Sequence, residues 1–219
     1  MSLLKIANLT KVYNHRTVAL DDVNLEIEKG ELVFIFGPNG AGKTTLFKLI
    51  ILDEKPDSGE IVFDGVSSLK LKARHSAFFR QKIGMMFQEQ RFLEKRDVFD
   101  NLAISLRVLG EREKRIKKKV FETLDWVGLS HKRKSFTEEL SDGERQKLSF
   151  ARAIIRSPLL FLADEPTSGL DALNSNQILD LIRKINSLGT TMIVATNQKS
   201  LIENNPGRII QLDKGKLRE

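Results

Sequence analysis

The 219-residue chain contains no cysteine, which excludes disulfides, thiol catalysis and cysteine-ligated zinc. No apolar run approaches the ~18 residues that a membrane-crossing helix needs. The opening "MSLLKIANLTKVY" also lacks the apolar centre of a secretory signal. A soluble, cytoplasmic chain is therefore expected. It carries one tyrosine, Tyr13, and three histidines, His15, His75 and His131, which read most simply as surface residues. It has no internal repeat, low-complexity stretch or long linker. The length suits one domain with a full core and leaves room for a subdomain set into it.

Positive charge, by contrast, is plentiful. The formal net charge is +7 and the isoelectric point is near 9.6. Much of the excess lies in "KRIKKK" (114–119) and "HKRK" (131–134). With Phe121, Leu124, Trp126 and Val127 following, the first run reads as the wet face of an amphipathic helix. Contact with an anionic membrane or a nucleic acid is the alternative.

Hydrophobic patterning points to an α/β chain. "LLKIANLTKVY" and "VALDDVNLEIEKGE" alternate as strands do, and the second ends in a Lys29-Gly30 turn that leads to the wholly apolar "LVFIF" (32–36). "DSGEIVFDG" (57–65) adds a strand between turn signals. From about Glu89 to Leu140 the chain turns helical and polar. Then "LLFLA" (159–163), "TMIVAT" (191–196) and "RIIQLD" (208–213) return as short apolar segments, separated by helical ones such as 173–188. Apolar strands alternating with helices predict a parallel sheet covered on both faces.

Gly37-Pro38-Asn39-Gly40-Ala41-Gly42-Lys43-Thr44 fits G-x-x-x-x-G-K-[ST] at every fixed position and stands between a strand and a helix, with Thr45 following. In such a loop the backbone amides converge on the phosphates of a nucleotide, Lys43 supplies a point charge, and the Thr44 hydroxyl can ligate Mg2+. The other magnesium contact is expected to be an acidic residue ending an apolar strand. "LLFLADEP" supplies Asp164 for the ion's water shell. Adjacent Glu165 is suited to take a proton from the water attacking the γ-phosphate. "LSDGERQKLS" (140–149) reads as a helix start, with Ser141 as N-cap, Glu144 closing a capping box, and Asp142 and Gly143 opening the helix. Its free amides form a second anion site.

"LSDGERQ" followed by "LLFLADEPTSGLD" resembles the signature helix, Walker B strand and D-loop of the ATP-binding cassette (ABC) ATPases, and the resemblance spans essentially the whole chain. It implies a P-loop NTPase core with a mostly parallel sheet, an N-terminal antiparallel β subdomain and a helical subdomain inserted at about 89–140 of a single 1–219 domain. It also implies an ATPase in which two subunits sandwich two Mg-ATP head to tail. Ser141 and Gly143 would then serve the partner's nucleotide, which accounts for two phosphate sites in one chain. By the same resemblance Tyr13 stacks on adenine. Gln88, in "IGMMFQEQ", occupies the Q-loop position and reaches Mg2+ or the attacking water. Ser168 and Asp171 form the D-loop across the dimer.

"RFLEKRDVFDNLAISLRVLG" (91–110) is similar to the stretch after the Q-loop in the cell-division branch of the family, with lipoprotein-release and macrolide-export ATPases as relatives. That likeness implies an integral membrane subunit docking near Gln88–Phe99, on apolar residues Phe92, Leu93, Val98 and Phe99, and attachment to the inner face of the cell membrane; a place in the insert's own core is the alternative for these four. No nucleic acid is expected, because residues 45–139 hold neither heptads nor cysteines.

Two positions depart from the family pattern. Asp142 replaces the first glycine of the signature, and Asn197, in "VATNQKSL", stands where the family has a histidine that touches both γ-phosphate and catalytic glutamate. Asn197 therefore leads to the expectation of slow hydrolysis, and an ATP-gated dimerisation switch is the alternative to an efficient ATPase.

Overall fold

The computed structural model describes residues 2–14, 16–71, 75–90, 92–203 and 205–218. His15 and Arg91, the first residue of the stretch just quoted, lie outside the described residues. Three early strands, β1 (Ser2–Tyr13), β2 (Thr17–Glu28) and β3 (Leu32–Phe36), precede α1 (Lys43–Ile50). Strands β4 (Ser58–Phe63) and β5 (Val66–Ser67) follow, then α2 (Ser76–Gln81) and β6 (Ile83–Met86). Helices α3 (Val98–Arg107), α4 (Glu113–Trp126) and α5 (Asp142–Ile154) lead to β7 (Leu160–Asp164). The chain continues through α6 (Ala172–Ser187), β8 (Thr191–Thr196), α7 (Lys199–Glu203), β9 (Arg208–Asp213) and β10 (Lys216–Arg218).

Two sheets result. One is antiparallel, in the order β2-β1-β4-β5. The other runs β10-β9-β3-β8-β7-β6 and is parallel except where β10 returns against β9. This is the α/β architecture expected from the apolar strands, and the period of two explains why those strands are apolar throughout. Phe34, Phe161, Ala163, Met192 and Val194 enter the core beneath α3–α6. Their neighbours Val33, Ile35, Leu160, Leu162, Ile193 and Ala195 join α1 and the antiparallel sheet on the other side. The apolar side chains on both faces of these strands therefore have a layer to enter.

Strand β6 and helix α2 are too short to stand out in the hydrophobic pattern. β6 has only four residues and one is Gly84. A β-carbon there would lie 2.2 Å from the Ala153 carbonyl oxygen, so the absence of a side chain lets α5 lie directly on the edge strand.

The helical excursion after β6 is closed at its base by backbone contacts. Asp97 bridges Phe136, Val98 N donates to Ser135 O (3.0 Å) and Phe99 N to Arg133 O (3.0 Å). Asp97 caps α3 by accepting from Asp100 N (2.7 Å). On α4, Ile116, Val120 and Leu124 face the core while Lys114, Lys117 and Lys118 face water, so the basic run is the wet side of an amphipathic helix. Phe121 is an exception to the expected apolar stripe, being 41% exposed.

The structure corrects one member of the expected docking set. Val98 is fully buried in the core, where the first turn of α3 points it inward, whereas Phe92 and Phe99 are half-buried and Leu93 is exposed. Val98→Asp is expected to bury an unpartnered carboxylate and lower stability by several kcal/mol, whereas Leu93→Asp stays within about 0.5 kcal/mol of the parent. Chemical denaturation of the two variants checks this contrast.

Candidate active site

The loop between β3 and α1 is shaped by close backbone approaches. A β-carbon on Gly37 would meet the Leu212 carbonyl oxygen at 2.1 Å, and one on Gly42, whose φ is +110°, would meet that of Ala19 at 2.4 Å. Only glycine fits at either position. The loop opens onto a cleft of about 440 Å³ lined by Tyr13, Thr17, Val18, Ala19, Asn39–Thr45, Gln88, Asp164 and Glu165.

At the floor of the cleft Lys43 is buried. Its Nζ donates to Gly37 O (2.8 Å) and Pro38 O (3.1 Å) and lies 3.1 Å from Glu165 Oε1. The Thr44 hydroxyl donates to Asp164 Oδ2 (2.7 Å). Asp164 Oδ1 is buried with no hydrogen-bond partner. Burial pushes the Asp164 carboxyl above the usual carboxylate range, and the neighbouring Glu165 charge adds to the shift; the Thr44 bond and Lys43 oppose it. A hydroxyl beside a carboxylate with one free oxygen is a hard-oxygen donor pair of the kind that suits Mg2+ with its retained waters.

Glu165 is held from several sides. Its backbone sits in the left-handed region at φ +47°, a conformation that costs a non-glycine residue roughly 1–3 kcal/mol. Its amide donates to Ala195 O (2.9 Å), and its Oε2 accepts from Asn197 N (3.2 Å). The Asn197 side chain turns to the phosphate loop, donating from Nδ2 to Asn39 Oδ1 (2.9 Å). Tyr13 also lines the cleft, and its hydroxyl bonds Glu54.

Ser141, Gly143, Ser168 and Asp171 do not line this cleft. Ser141 and Glu144 form the expected capping box on α5. Gly143 abuts Asn174, whose side-chain oxygen lies 2.3 Å from where a β-carbon would stand. Asn174 in turn donates from N and Nδ2 to Asp171, which caps α6 (2.8 and 2.9 Å). Ser141, Gly143 and Asp171 therefore gather where α5 and α6 begin side by side, while Ser168 N donates to Glu165 O (3.1 Å) in the turn that leads from the cleft. His75 and His131 are both exposed, and His131 lies 3.6 Å from Glu144.

Sequence reasoning missed three members of the site region. Gln146 is buried on α5, bonded to Gln90 and donating to Pro166 O (2.5 Å). Gln198 accepts from Thr167 Oγ1 (3.2 Å). Glu54 anchors Tyr13. A polar residue on the apolar face of α5 was the available signal for Gln146; the other two depend on tertiary contacts alone.

Residues 20–168 match the ABC transporter family. The chain belongs to that family. Among known proteins, this ABC chain is 41% identical over 216 residues to the cell division ATP-binding protein FtsE of Mycobacterium tuberculosis, covering 98% of this chain and 94% of that protein. It is 38% identical over 213 residues to FtsE of Bacillus subtilis, covering 97% and 93%. It is also 38% identical over 221 residues to the methionine import ATP-binding protein MetN of Haemophilus influenzae, covering 99% of this chain and 64% of that protein. Among solved structures, a dimeric post-hydrolysis ATP-binding cassette bound to ADP and Pi superposes with a TM-score of 0.90 at 31% identity, covering 99% of this chain and 97% of that one. This chain is thus an ABC ATPase with the P-loop NTPase fold, binding and hydrolysing ATP. Among the described residues no helix is long and apolar enough to cross a membrane.

The raised carboxyl of Asp164 has a consequence for stability. In unfolded chain Asp164 ionises at an ordinary carboxylate pKa, and in the folded chain only at higher pH, so the free protein loses stability as pH rises through that interval. Asp164→Asn should raise the melting temperature of the nucleotide-free protein by a few degrees, since ~1 kcal/mol corresponds to about 2–4 °C at this size. The same variant should lose the extra stabilisation that Mg2+ adds to ATP. Thermal melts of both proteins with and without Mg-ATP check the two halves.

Proposed function

We propose that this ABC ATPase is the nucleotide-driven subunit of a membrane complex of the FtsEX type, pairing with an FtsX-like integral membrane protein at the inner face of the cell membrane. The support is the likeness to FtsE proteins over nearly their whole length, together with the similarity of residues 91–110 to that branch. In this reading the helical segment at about 89–140 is a subdomain of one 1–219 domain, and its partner docks on Phe92, Leu93 and Phe99 near Gln88.

The observation that carries the site assignment is the meeting of Thr44 with Asp164, and of Lys43 with Glu165, at the floor of one cleft. Gly37–Thr45 hold the phosphates of ATP, Tyr13 takes the adenine, and Thr44, Asp164 and Gln88 hold Mg2+, which neutralises charge on the phosphates when bound. Lys43 exchanges its loop carbonyls and Glu165 for phosphate oxygens. That exchange frees the Glu165 carboxylate to accept the proton of the attacking water. Two cassettes form a homodimer around two ATP, with Ser141 and Gly143 of each facing the other's nucleotide and Ser168 and Asp171 crossing the interface. The placement of Ser141, Gly143 and Asp171 outside the cleft, where α5 and α6 begin, supports that arrangement.

With Glu165 changed to Gln, hydrolysis is blocked and the sandwich persists. Light scattering is expected to show a monomer or weak dimer without nucleotide and a tight dimer of Glu165→Gln in saturating Mg-ATP. A variant that stays monomeric there overturns the shared-site reading. Pull-down of Leu93→Asp from membranes tests the docking face, with loss of an FtsX-like partner and retention of ATP binding expected.

Asn197 favours slow turnover by the cassette alone. Its amide is a shorter and uncharged donor compared with the family's histidine, and it is engaged with Asn39. Loss of one preorganised donor at a developing charge costs about 2.7–4 kcal/mol. Asn197→His should therefore speed single-turnover hydrolysis at least about tenfold, or ~1.4 kcal/mol, at near-constant ATP affinity. Fast hydrolysis by the native chain with no gain in Asn197→His would show Asn197 to be a competent replacement.

A further inference from the structure

Tyr13 is fastened at its hydroxyl, and the fastening comes from the segment that joins α1 to β4. The Tyr13 hydroxyl bonds Glu54, whose other carboxylate oxygen is 3.1 Å from Lys48 Nζ. Lys48 lies on α1, the helix that begins at the phosphate loop. The rest of the segment grips the end of β1. Val12 N donates to Asp57 Oδ2 (2.6 Å), Asp57 N donates to Thr10 O (3.0 Å) and Lys11 Nζ donates to Lys55 O (2.8 Å). The same Lys11 ammonium lies 5.5 Å from the centroid of the Tyr13 ring, against one of its two faces.

A tyrosine that served only as packing would not need its polar tip tied to a charged pair on another element. An exposed aromatic side chain otherwise rotates about χ1, and each rotamer presents its face in a different place. Here the tip, one face and the adjoining backbone are all held. Burial, and then the Glu54 carboxylate, push the Tyr13 hydroxyl upward in pKa, in keeping with its bond to that carboxylate.

We infer that Glu54, braced by Lys48, is a positioning residue for nucleotide binding: it fixes the Tyr13 ring relative to α1 so that the adenine face and the phosphate loop are set at one spacing. Glu54 acts on the base end of the nucleotide only, through Tyr13. The inference rests on the reading that Tyr13 stacks on adenine.

Two probes separate the ends of the ligand. The first is a non-hydrolysable ATP analogue, AMP-PNP, and the second is inorganic tripolyphosphate, which occupies a phosphate loop without a base. Equilibrium titration with Mg2+ present is expected to show Tyr13→Phe and Glu54→Ala each weakening AMP-PNP about three- to tenfold, the worth of one ordinary positioning hydrogen bond. Tripolyphosphate affinity is expected to stay within about twofold of the parent, and the double variant to bind AMP-PNP no worse than the weaker single one, because both changes remove the same bond.

Equal losses for both probes in Glu54→Ala would mean that α1 itself has shifted, and would overturn the inference. So would additive losses in the double variant. Tyr13→Ala tells the two readings apart. If it weakens AMP-PNP tenfold or more while Tyr13→Phe and Glu54→Ala do not, the ring stacks and needs no clamp. If it changes nothing, the stacking reading itself falls. Should Glu54→Ala fail to fold, Tyr13→Phe decides the matter, since it removes the same bond with the ring intact.

Discussion

A lysine ammonium buried at the floor of a cleft has to have its charge answered, and in this chain that requirement organises everything around Lys43. Two carbonyls of its own loop and the Glu165 carboxylate surround it. The carbonyls are available because the loop turns back toward Lys43, and the turn depends on Gly37 and Gly42 admitting neighbouring backbone oxygens. Glu165 is available only because it ends β7 in a left-handed conformation, stitched to β8 through Ala195 and Asn197. The central sheet places the loop after β3 and the carboxylates after β7 on either side of β8, at the same end of parallel strands. That end is where open α/β sheets bind their ligands.

In the function proposed above, an incoming phosphate would compete for the same ammonium and answer Lys43 from the cleft side, so the ion pair with Glu165 and the occupied site would be alternative ways of meeting one demand. The strain in Glu165 fits this economy of contacts, since a relaxed backbone would carry its side chain elsewhere. Asp164 illustrates the other side of the arrangement. A buried carboxylate with a free oxygen is unfavourable, and in the proposed function a cation there would remove the penalty.

Much of this was legible in the sequence because the signals were local. The loop from Gly37 to Thr44 is contiguous, the Ser141 and Glu144 capping box closes within one turn, and the apolar runs at 32–36, 159–163 and 191–196 correspond to β3, β7 and β8. Strand β6 was not set out because four residues with a glycine carry little periodicity, although Gln88 just beyond it was recognised. The sequence leaves Val98 open between a docking face and the core, because charged "EKRD" precedes it, and its position in the first turn of α3 directs it into the core. Glu54 could not have been found at all. Its partner Tyr13 is 41 residues away, and nothing in "LDEKPD" marks one acidic residue from another.

The buried amide of Gln146 joins three parts of the chain that are distant in sequence. Helix α5 begins at the Ser141 cap, and one turn later Gln146 faces inward to donate to Pro166 O, directly after Glu165, while its own oxygen is engaged by Gln90, two residues after Gln88. A buried polar group that loses its partner costs about 1–3 kcal/mol. Residues 88–90, the first turns of α5 and the turn after β7 therefore hold one another in register, because moving any one alone would leave an amide unsatisfied. An apolar residue at 146 could pack α5 equally well against the sheet, but it would leave the three segments free to shift independently. The position is polar because it fixes a relation between segments, and packing alone would not do so.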